Sequence, residues 1–289
     1  MIEVQNLTKR YGTFVALDSI SFSARQGEIL GFLGPNGAGK TTTMRILTGY
    51  MPPTEGSAQV AGYDVFDDSL EVRRHVGYLP ETVPLYRDMT VRGYLDFLAR
   101  LRDVPQRKAR IDEVLARVGM TDRARSLIRS LSKGMRQRVG LAQAIVHNPD
   151  VLILDEPTIG LDPHQVQDVR ALIRELGQTR TVMISTHILS EAEQMCDRIV
   201  IIDKGKTIAA GTKDELKAMI NRGEKITVEL YALEEQDVAN IRELPFVARA
   251  DYDGKRLSVQ YNNGQHNLLT LLDYLKSRDL PFERVFSEQ

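Results

Sequence analysis

Residues 34–41, "GPNGAGKT", limit what this chain can fold into more than any other stretch. They match G-x-x-x-x-G-K-[ST] and stand between an apolar run, "GEILGFLG", and a helix-like run, "TTTMRILTGY", closed by Gly49. Strand, glycine loop and helix is the arrangement in which such a loop holds phosphate. The glycines let backbone N–H groups converge on phosphate oxygens, and the following helix start adds roughly half a positive charge. Lys40 then reaches the β- and γ-phosphates, and the Thr41 hydroxyl is offered to Mg²⁺. The expected nucleotide cradle is Gly34, Pro35, Asn36, Gly37, Ala38, Gly39, Lys40, Thr41 and Thr42.

A phosphate loop needs a sheet to carry it, and the rest of the chain supplies one. Residues 2–33 read as short strands broken by turns, and the stretch with Pro52, Pro53, Gly56 and Gly62 as a further strand pair. Residues 90–146 differ in kind, with apolar residues at helical spacing in "TVRGYLDFLARLRDV", "KARIDEVLARVGM" and "GMRQRVGLAQAIVH". After them "DVLILDEP", "TVMISTH" and "DRIVIIDKGKTIAAGT" return to short strands, alternating with the helical "PHQVQDVRALIRELG" and "ILSEAEQMC". Strands alternating with helices predict a parallel sheet covered on both faces. The fold class is therefore α/β, a P-loop NTPase core with an antiparallel β subdomain and a helical insertion. From about residue 217 the order β-α-β-β-α-β, with an Asp-Gly turn, predicts a small ferredoxin-like α+β domain. The expected division is 1–216, with a helical subdomain at about 82–146, and 217–289.

Bulk composition excludes several classes of function. The 289 residues suit about two units, and 38 Lys plus Arg against 39 Asp plus Glu leave no overall field for nucleic acid or an anionic membrane. The single cysteine, Cys196, permits no internal disulfide and fits a reducing compartment. The start "MIEVQNLTKRYG" lacks a signal-peptide core, and the longest apolar runs fall short of the ~20 residues that span a bilayer. Peripheral attachment to a membrane partner stays open.

Three further sites carry chemistry. "VLILDEP" is an apolar strand ending in Asp155, which can hold Mg²⁺, and Glu156, which can orient and deprotonate an attacking water. Alone, that pair would read as a solvated strand end; beside a phosphate loop it reads as catalytic. His187 ends the strand "TVMISTH". A lone histidine there is more often structural, but a neighbouring parallel strand would bring it to the face where a γ-phosphate sits. "LSKGMRQ" at 131–137 is a second Ser/Gly turn opening a helix, another anion site that one nucleotide does not need.

In chain order, the Tyr of "KRYG", "GPNGAGKT", "VGYLPE", "LSKGMRQ", "VLILDEP", "IGLD" and "STH" together resemble the ATPase subunit of an ATP-binding cassette (ABC) transporter, over about residues 2–216. The resemblance implies ATP and Mg²⁺ as cofactors, with Thr41, Glu81 and Asp155 around the metal. It implies that Tyr11 stacks on adenine, that Glu156 is the catalytic base and that His187 is the switch contacting the γ-phosphate. It places Asp162 in a loop that crosses a dimer. It also accounts for the second turn: Leu131, Ser132, Lys133, Gly134 and Met135 are the signature, whose Ser132 and Gly134 bind the γ-phosphate held by a second copy. Two chains thus sandwich two nucleotides head to tail.

The resemblance further implies a separate multi-span membrane permease and a cytoplasmic protein, peripheral on the cytoplasmic face of the cell membrane. Residues 82–100, with Tyr86, Tyr94 and Phe97, are the candidate docking groove. Two positions depart from the family pattern: Glu81 stands where most members have Gln, and Lys133 where Gly is usual. "LSKGMRQRV" and the tail resemble exporter-type subunits of drug, sodium, copper-maturation or gliding-motility systems. The rival reading is a soluble cassette ATPase acting on ribosomes or nucleic acid; the single motif set and compact insertion favour the transporter, with no nucleic-acid partner. A module that holds ATP without turnover would lack Glu156 or His187, and both are present.

Overall fold

The structure, a computed structural model, describes residues 1–216, 226–231, 233–261, 268–278 and 280–287. The chain divides into two compact units, Met1–Thr207 and Ile208–Gln289. The division falls inside one strand, β10 (Lys206–Thr212). The expected domain boundary at 216/217 adjoins residues 217–225, which lie outside the described residues.

The first unit holds two sheets. An antiparallel sheet joins β1 (Ile2–Tyr11), β2 (Phe14–Ala24), β4 (Glu55–Val60) and β5 (Tyr63–Asp64) in the order β2-β1-β4-β5. Tyr11 and Phe14 face each other across the β1–β2 hairpin. A second sheet orders β9 (Arg198–Asp203), β3 (Ile29–Leu33), β8 (Thr181–Thr186), β7 (Val151–Asp155) and β6 (Val76–Leu79), with every neighbouring pair parallel. All residues of β3, β7 and β8 are buried. That is the signature of strands covered on both faces, and it explains their unbroken apolar runs. The core of this unit packs Phe32, Leu30, Met44, Ile46, Leu47 and Ile153 against Ile2, Leu17 and Ile20 of the antiparallel sheet.

Helix α1 (Lys40–Leu47) leaves β3 through the glycine loop and ends ahead of Gly49, at φ +68°. A short α2 (Ser69–His75) leads into β6. The helical insertion consists of α3 (Val91–Leu101), α4 (Arg107–Arg117) and α5 (Lys133–Ile145). The Thr90 hydroxyl caps α3 by accepting from Gly93 N, and the Ser132 hydroxyl caps α5 by accepting from Met135 N. Helix α6 (Pro163–Gly177) opens with Pro163 in its first turn behind an Asp162 cap, and α7 (Leu189–Met195) precedes β9.

In the second unit, β11 (Ile226–Leu230), α8 (Glu235–Arg242), β12 (Val247–Tyr252), β13 (Arg256–Tyr261), α9 (Leu268–Ser277) and β14 (Phe282–Ser287) follow in chain order. The sheet order is β12-β13-β11-β14, antiparallel throughout. Ile226, Val228, Leu257, Val259, Ile241 and Leu271 form its core. At the β12–β13 turn, Asp253 Oδ1 accepts from Lys255 N and Arg256 N, and Gly254 takes φ +93°.

Candidate functional site

The glycine loop is built by close approach. Gly34 sits so near β9 that a Cβ there would lie 2.3 Å from the Ile202 carbonyl oxygen. Gly39 takes φ +108° immediately before α1, with Leu17 Cδ2 2.6 Å from where its Cβ would be. Only a residue without a side chain turns the backbone there. The loop is tied down on its far side, where Ala38 O accepts from Gly205 N at 3.0 Å and Gly34 N donates to Thr186 O at 3.3 Å. Lys40 folds back over the loop, its ammonium donating to Gly34 O at 2.8 Å and Pro35 O at 3.3 Å.

Parallel pairing then delivers the acidic residues. With β7 and β8 in register from Val151↔Thr181 to Asp155↔Ser185, the ends of the two strands come together beside α1. Asp155 is almost wholly buried; its Oδ2 accepts from the Thr41 hydroxyl at 2.9 Å and its Oδ1 from the Ser185 hydroxyl at 2.5 Å. Ser185 Oγ in turn accepts from Glu156 N at 2.9 Å. Glu156 itself takes φ +49°, the left-handed region that costs a non-glycine residue of order 1 kcal/mol or more. That turn aims its carboxylate at two cations or donors. His187 Nδ1 lies 3.1 and 3.0 Å from its two oxygens, and Lys40 Nζ lies 3.5 Å from Oε1.

These groups line one cleft of about 540 Å³, a size that suits a nucleotide-sized ligand. Of the residues expected from the sequence, Tyr11, Pro35, Asn36, Gly37, Gly39, Lys40, Thr41, Thr42, Glu81, Asp155, Glu156 and His187 line it. Gly34 and Ala38 belong to the same loop without lining the cleft. At the mouth, Tyr11 and Phe14 are 47% and 63% exposed, an unusual pair of aromatics for a solvent-facing hairpin. The oxygen donors Thr41, Asp155 and Glu81 are the chemistry of a hard divalent cation, so this corner fits Mg²⁺.

The signature residues are not in that cleft. Leu131, Ser132, Lys133, Gly134 and Met135, and Asp162, lie apart from its lining. Gly134 abuts the Gln165 amide, which lies 2.2 Å from where a Cβ would stand, and the Lys133 side chain lies over Gly160 of "IGLD" in the same way. Asp162 Oδ1 accepts from Gln165 N at 2.9 Å, and the buried Gln137 donates to Pro157 O at 3.2 Å. Helix α5 is thereby tied to the segment leaving Glu156.

Phe14, Ala16 and Ile159 line the cleft without a motif to announce them, and Ser185 bridges Asp155 and Glu156 from the residue two before His187. Phe14, a large aromatic one turn from "RYG", is the only one with a local signal. In the proposed docking region, Tyr86 and Phe97 are exposed at 56% and 41% and pack together with ring centroids 5.8 Å apart. Tyr94 departs from the expectation: it is 3% exposed, and its ring supports Tyr86 from beneath while its hydroxyl points to Gln143. Among the described residues no helix is long and apolar enough to cross a membrane.

The family model described as "ABC transporter" matches residues 17–159. The chain is 43% identical over 219 residues to the "Uncharacterized ABC transporter ATP-binding protein YhcH" of Bacillus subtilis (strain 168), which covers 74% of this chain and 71% of that one. It is 42% identical over 219 residues to the "Bacitracin transport ATP-binding protein BcrA" of Bacillus licheniformis, covering 75% and 71%. Among solved structures it resembles the dimeric, post-hydrolysis state of the ATP-binding cassette MJ0796 bound to ADP and Pi. There the TM-score is 0.67 and the identity 25%, over 73% of this chain and 98% of that one.

Proposed function

This chain belongs to the ATP-binding, ATP-hydrolysing subunits of ABC transporters, and from that premise we propose how its residues bind ATP, cleave it and pass the work on. The observation that carries the reading is the single cleft in which Lys40, Thr41, Asp155, Glu156 and His187 meet within hydrogen-bonding or ion-pairing distance. Tyr11 and Phe14 offer an aromatic platform to adenine at the mouth, and residues 34–42 wrap the phosphates. Lys40 neutralises the terminal phosphates as a buried cation. Thr41, Asp155 and Glu81 would hold Mg²⁺, which when bound would neutralise charge on the phosphate oxygens.

Glu156 is the general base. Its carboxylate is held by His187 Nδ1 and faces Lys40, so a water it orients is aimed at the phosphate that Lys40 holds. His187 positions that carboxylate and reaches the γ-phosphate. Asp155 and Ser185 fix the backbone N–H of Glu156, so the positive φ at Glu156 is maintained by a hydrogen-bonded frame.

The second anion turn serves a second copy of the chain. Ser132 keeps its oxygen on Met135 N, leaving its O–H to donate, and it lies apart from the lining of its own chain's cleft. Two copies placed head to tail, with Asp162 near the crossing, give each ATP one Lys40 and the other chain's Ser132. The dimeric state of the cassette named above supports a dimer as the working unit. The exposed Tyr86 and Phe97, with the region 82–100, form the surface for a multi-span permease. The protein is then peripheral on the cytoplasmic face of the membrane, and its 34% identity over 286 residues to the "Nod factor export ATP-binding protein I" of Ralstonia nicotianae favours an exporter. The C-terminal unit contains none of these site residues and is read as an accessory domain supporting dimerisation or regulation.

Replacing Glu156 with Gln tests the reading. Turnover should fall about 10²–10⁴-fold while ATP still binds, and size-exclusion chromatography with ATP and Mg²⁺ should show a dimer that persists. A Glu156→Gln protein that hydrolyses ATP at close to the wild-type rate would overturn it.

A further inference from the structure

Glu156 and His187 stand at the ends of two different strands, and each is followed by a loop. Their 3.0 Å contact therefore depends on whatever holds those two loops together. One buried carboxylate does so. Glu191, in the first turn of α7, is buried, and its Oε2 accepts from two hydroxyls at once. One belongs to Thr158, two residues beyond Glu156, at 2.8 Å; the other belongs to Thr186, the residue before His187, at 3.2 Å. Thr186 Oγ1 also accepts from Ile188 N at 3.0 Å, so the peptide group that follows His187 is held as well. Thr158 and Thr186 are themselves buried.

The second carboxylate oxygen, Oε1, faces Arg170 of α6 at 3.4 Å. Arg170 is also fixed by Gln194, at 2.5 Å. A carboxylate removed from water is tolerated only when its charge and lone pairs are met. Here the guanidinium meets the charge on one oxygen while the other oxygen is left to gather two hydroxyls. None of Glu191, Thr158 or Thr186 lines the nucleotide cleft. Their effect on ATP can only pass through the residues they hold.

We infer that Glu191 is a positioning residue: through Thr158 and Thr186 it locks the loop after Glu156 to the strand end carrying His187, and so sets the base in line for hydrolysis. This rests on the assignment of Glu156 and His187 given above. It separates two properties of the site. Phosphate binding depends on the loop at 34–42, which meets the lock only at the Thr186 backbone oxygen, an acceptor from Gly34 N that no side-chain change at Glu191 or Thr158 removes. Chemistry needs Glu156 placed to a fraction of an ångström, and so needs the lock.

The test uses the full chain, with kcat, KM for ATP and melting temperature measured for Glu191→Ala, Thr158→Val and Thr158→Ser, and Glu156→Gln in the same assay. Misplacing a base by about 1 Å costs up to about 100-fold. Glu191→Ala and Thr158→Val should each lower kcat by between about 10- and 100-fold with KM within about twofold of wild type. Thr158→Ser, which keeps the hydroxyl and loses only a methyl, should recover most of the rate. A packing role would instead be indifferent to the hydroxyl, with Val, which keeps the shape, better tolerated than Ser; that result overturns the inference. So does a rise in KM matching the fall in kcat. If Glu191→Ala fails to fold because Arg170 is left unpaired, the Val and Ser variants decide the matter alone. A Glu156→Gln protein with near wild-type turnover would break the assignment of the base, whereas an inactive Glu156→Gln beside a fully active Thr158→Val would break only the lock.

Discussion

Lys40 Nζ lies 3.5 Å from the carboxylate of Glu156, and both side chains are buried. The cation proposed to receive a terminal phosphate and the carboxylate proposed to activate the attacking water are thus partners of each other. A phosphate that takes Lys40 for its own counter-charge weakens this pair and leaves the Glu156 carboxylate to His187 and a water. On the proposed assignment, one ion pair couples ATP binding to activation of the base.

The glycine loop gives a graded prediction. At Gly39 an added Cβ meets Leu17 Cδ2 at 2.6 Å and the Ala16 oxygen at 2.9 Å, with φ at +108°. At Gly37 φ is +80° but nothing lies within 4 Å of the same atom. Gly39→Ala should therefore cost about 1–3 kcal/mol of stability and most of the ATP affinity, and Gly37→Ala distinctly less. Urea titration and nucleotide calorimetry on the two variants check the order; an equal or reversed loss would mean the loop at Gly39 is free to relax.

Ser132 caps α5 and, in this account, also meets the other chain's phosphate. Aspartate caps as well as serine does, but brings a negative charge. Ser132→Asp should leave the thermal stability within about 0.5 kcal/mol of wild type and abolish turnover. Ser132→Ala should lose about 1 kcal/mol from the missing cap. Thermal melts and phosphate release, measured side by side, separate the two roles; full turnover by the Asp variant would remove Ser132 from the phosphate site.

Much of this site is legible in the sequence because its parts are local. The glycine spacing at 34–41, the Asp-Glu pair of "VLILDEP" and the histidine ending "TVMISTH" each stand at or just beyond the end of a strand that apolar patterning alone identifies. The β-α-β-β-α-β order after residue 225 is the element order of the second unit for the same reason. Ser185, Ile159 and Glu191 are not legible, because their partners arrive through the β7–β8 register and the packing of α6 and α7, about 30 residues distant in the chain for the Ser185 and Thr158 bonds. Nor does any pattern announce the left-handed backbone at Glu156. Tyr94 was within reach of the pattern: it shares the face of α3 that buries Val91 and Leu95, at i+3 and i+4, which sets it inward beneath Tyr86.

His147 supplies a pH dependence outside the cleft. Burial, assisted by Arg102, pushes its imidazole down to about 4 from an ordinary 6.5, and its Nε2–H donates to Val76 O at 3.0 Å. Between those pH values the unfolded chain takes up a proton that the folded chain refuses. The stability is complete above about pH 6.5 and falls as the pH drops toward 4, by on the order of 3 kcal/mol in all. His147→Gln removes that term, so the stability difference between wild type and variant should shrink on going from pH 7 to pH 5 in urea titrations. A difference that stays constant over this range would show that His147 titrates alike in both states.

Each ATP site is proposed to join Lys40 of one chain to Ser132 of another, and the decisive experiment mixes two inactive proteins. Lys40→Ala removes the phosphate's cation and Ser132→Arg puts bulk and charge where a hydroxyl must meet phosphate, so each protein alone should be inactive at both sites. In a mixed dimer both lesions fall on one composite site, and the other site joins an intact Lys40 to an intact Ser132. With equal random mixing about half the dimers are mixed, each with one good site of two, so roughly a quarter of wild-type turnover should return if the sites act independently, and less if they cooperate. Recovery of activity on mixing is the predicted result. No recovery at all, or a Ser132→Arg protein that hydrolyses ATP at the full rate by itself, would contradict the shared site.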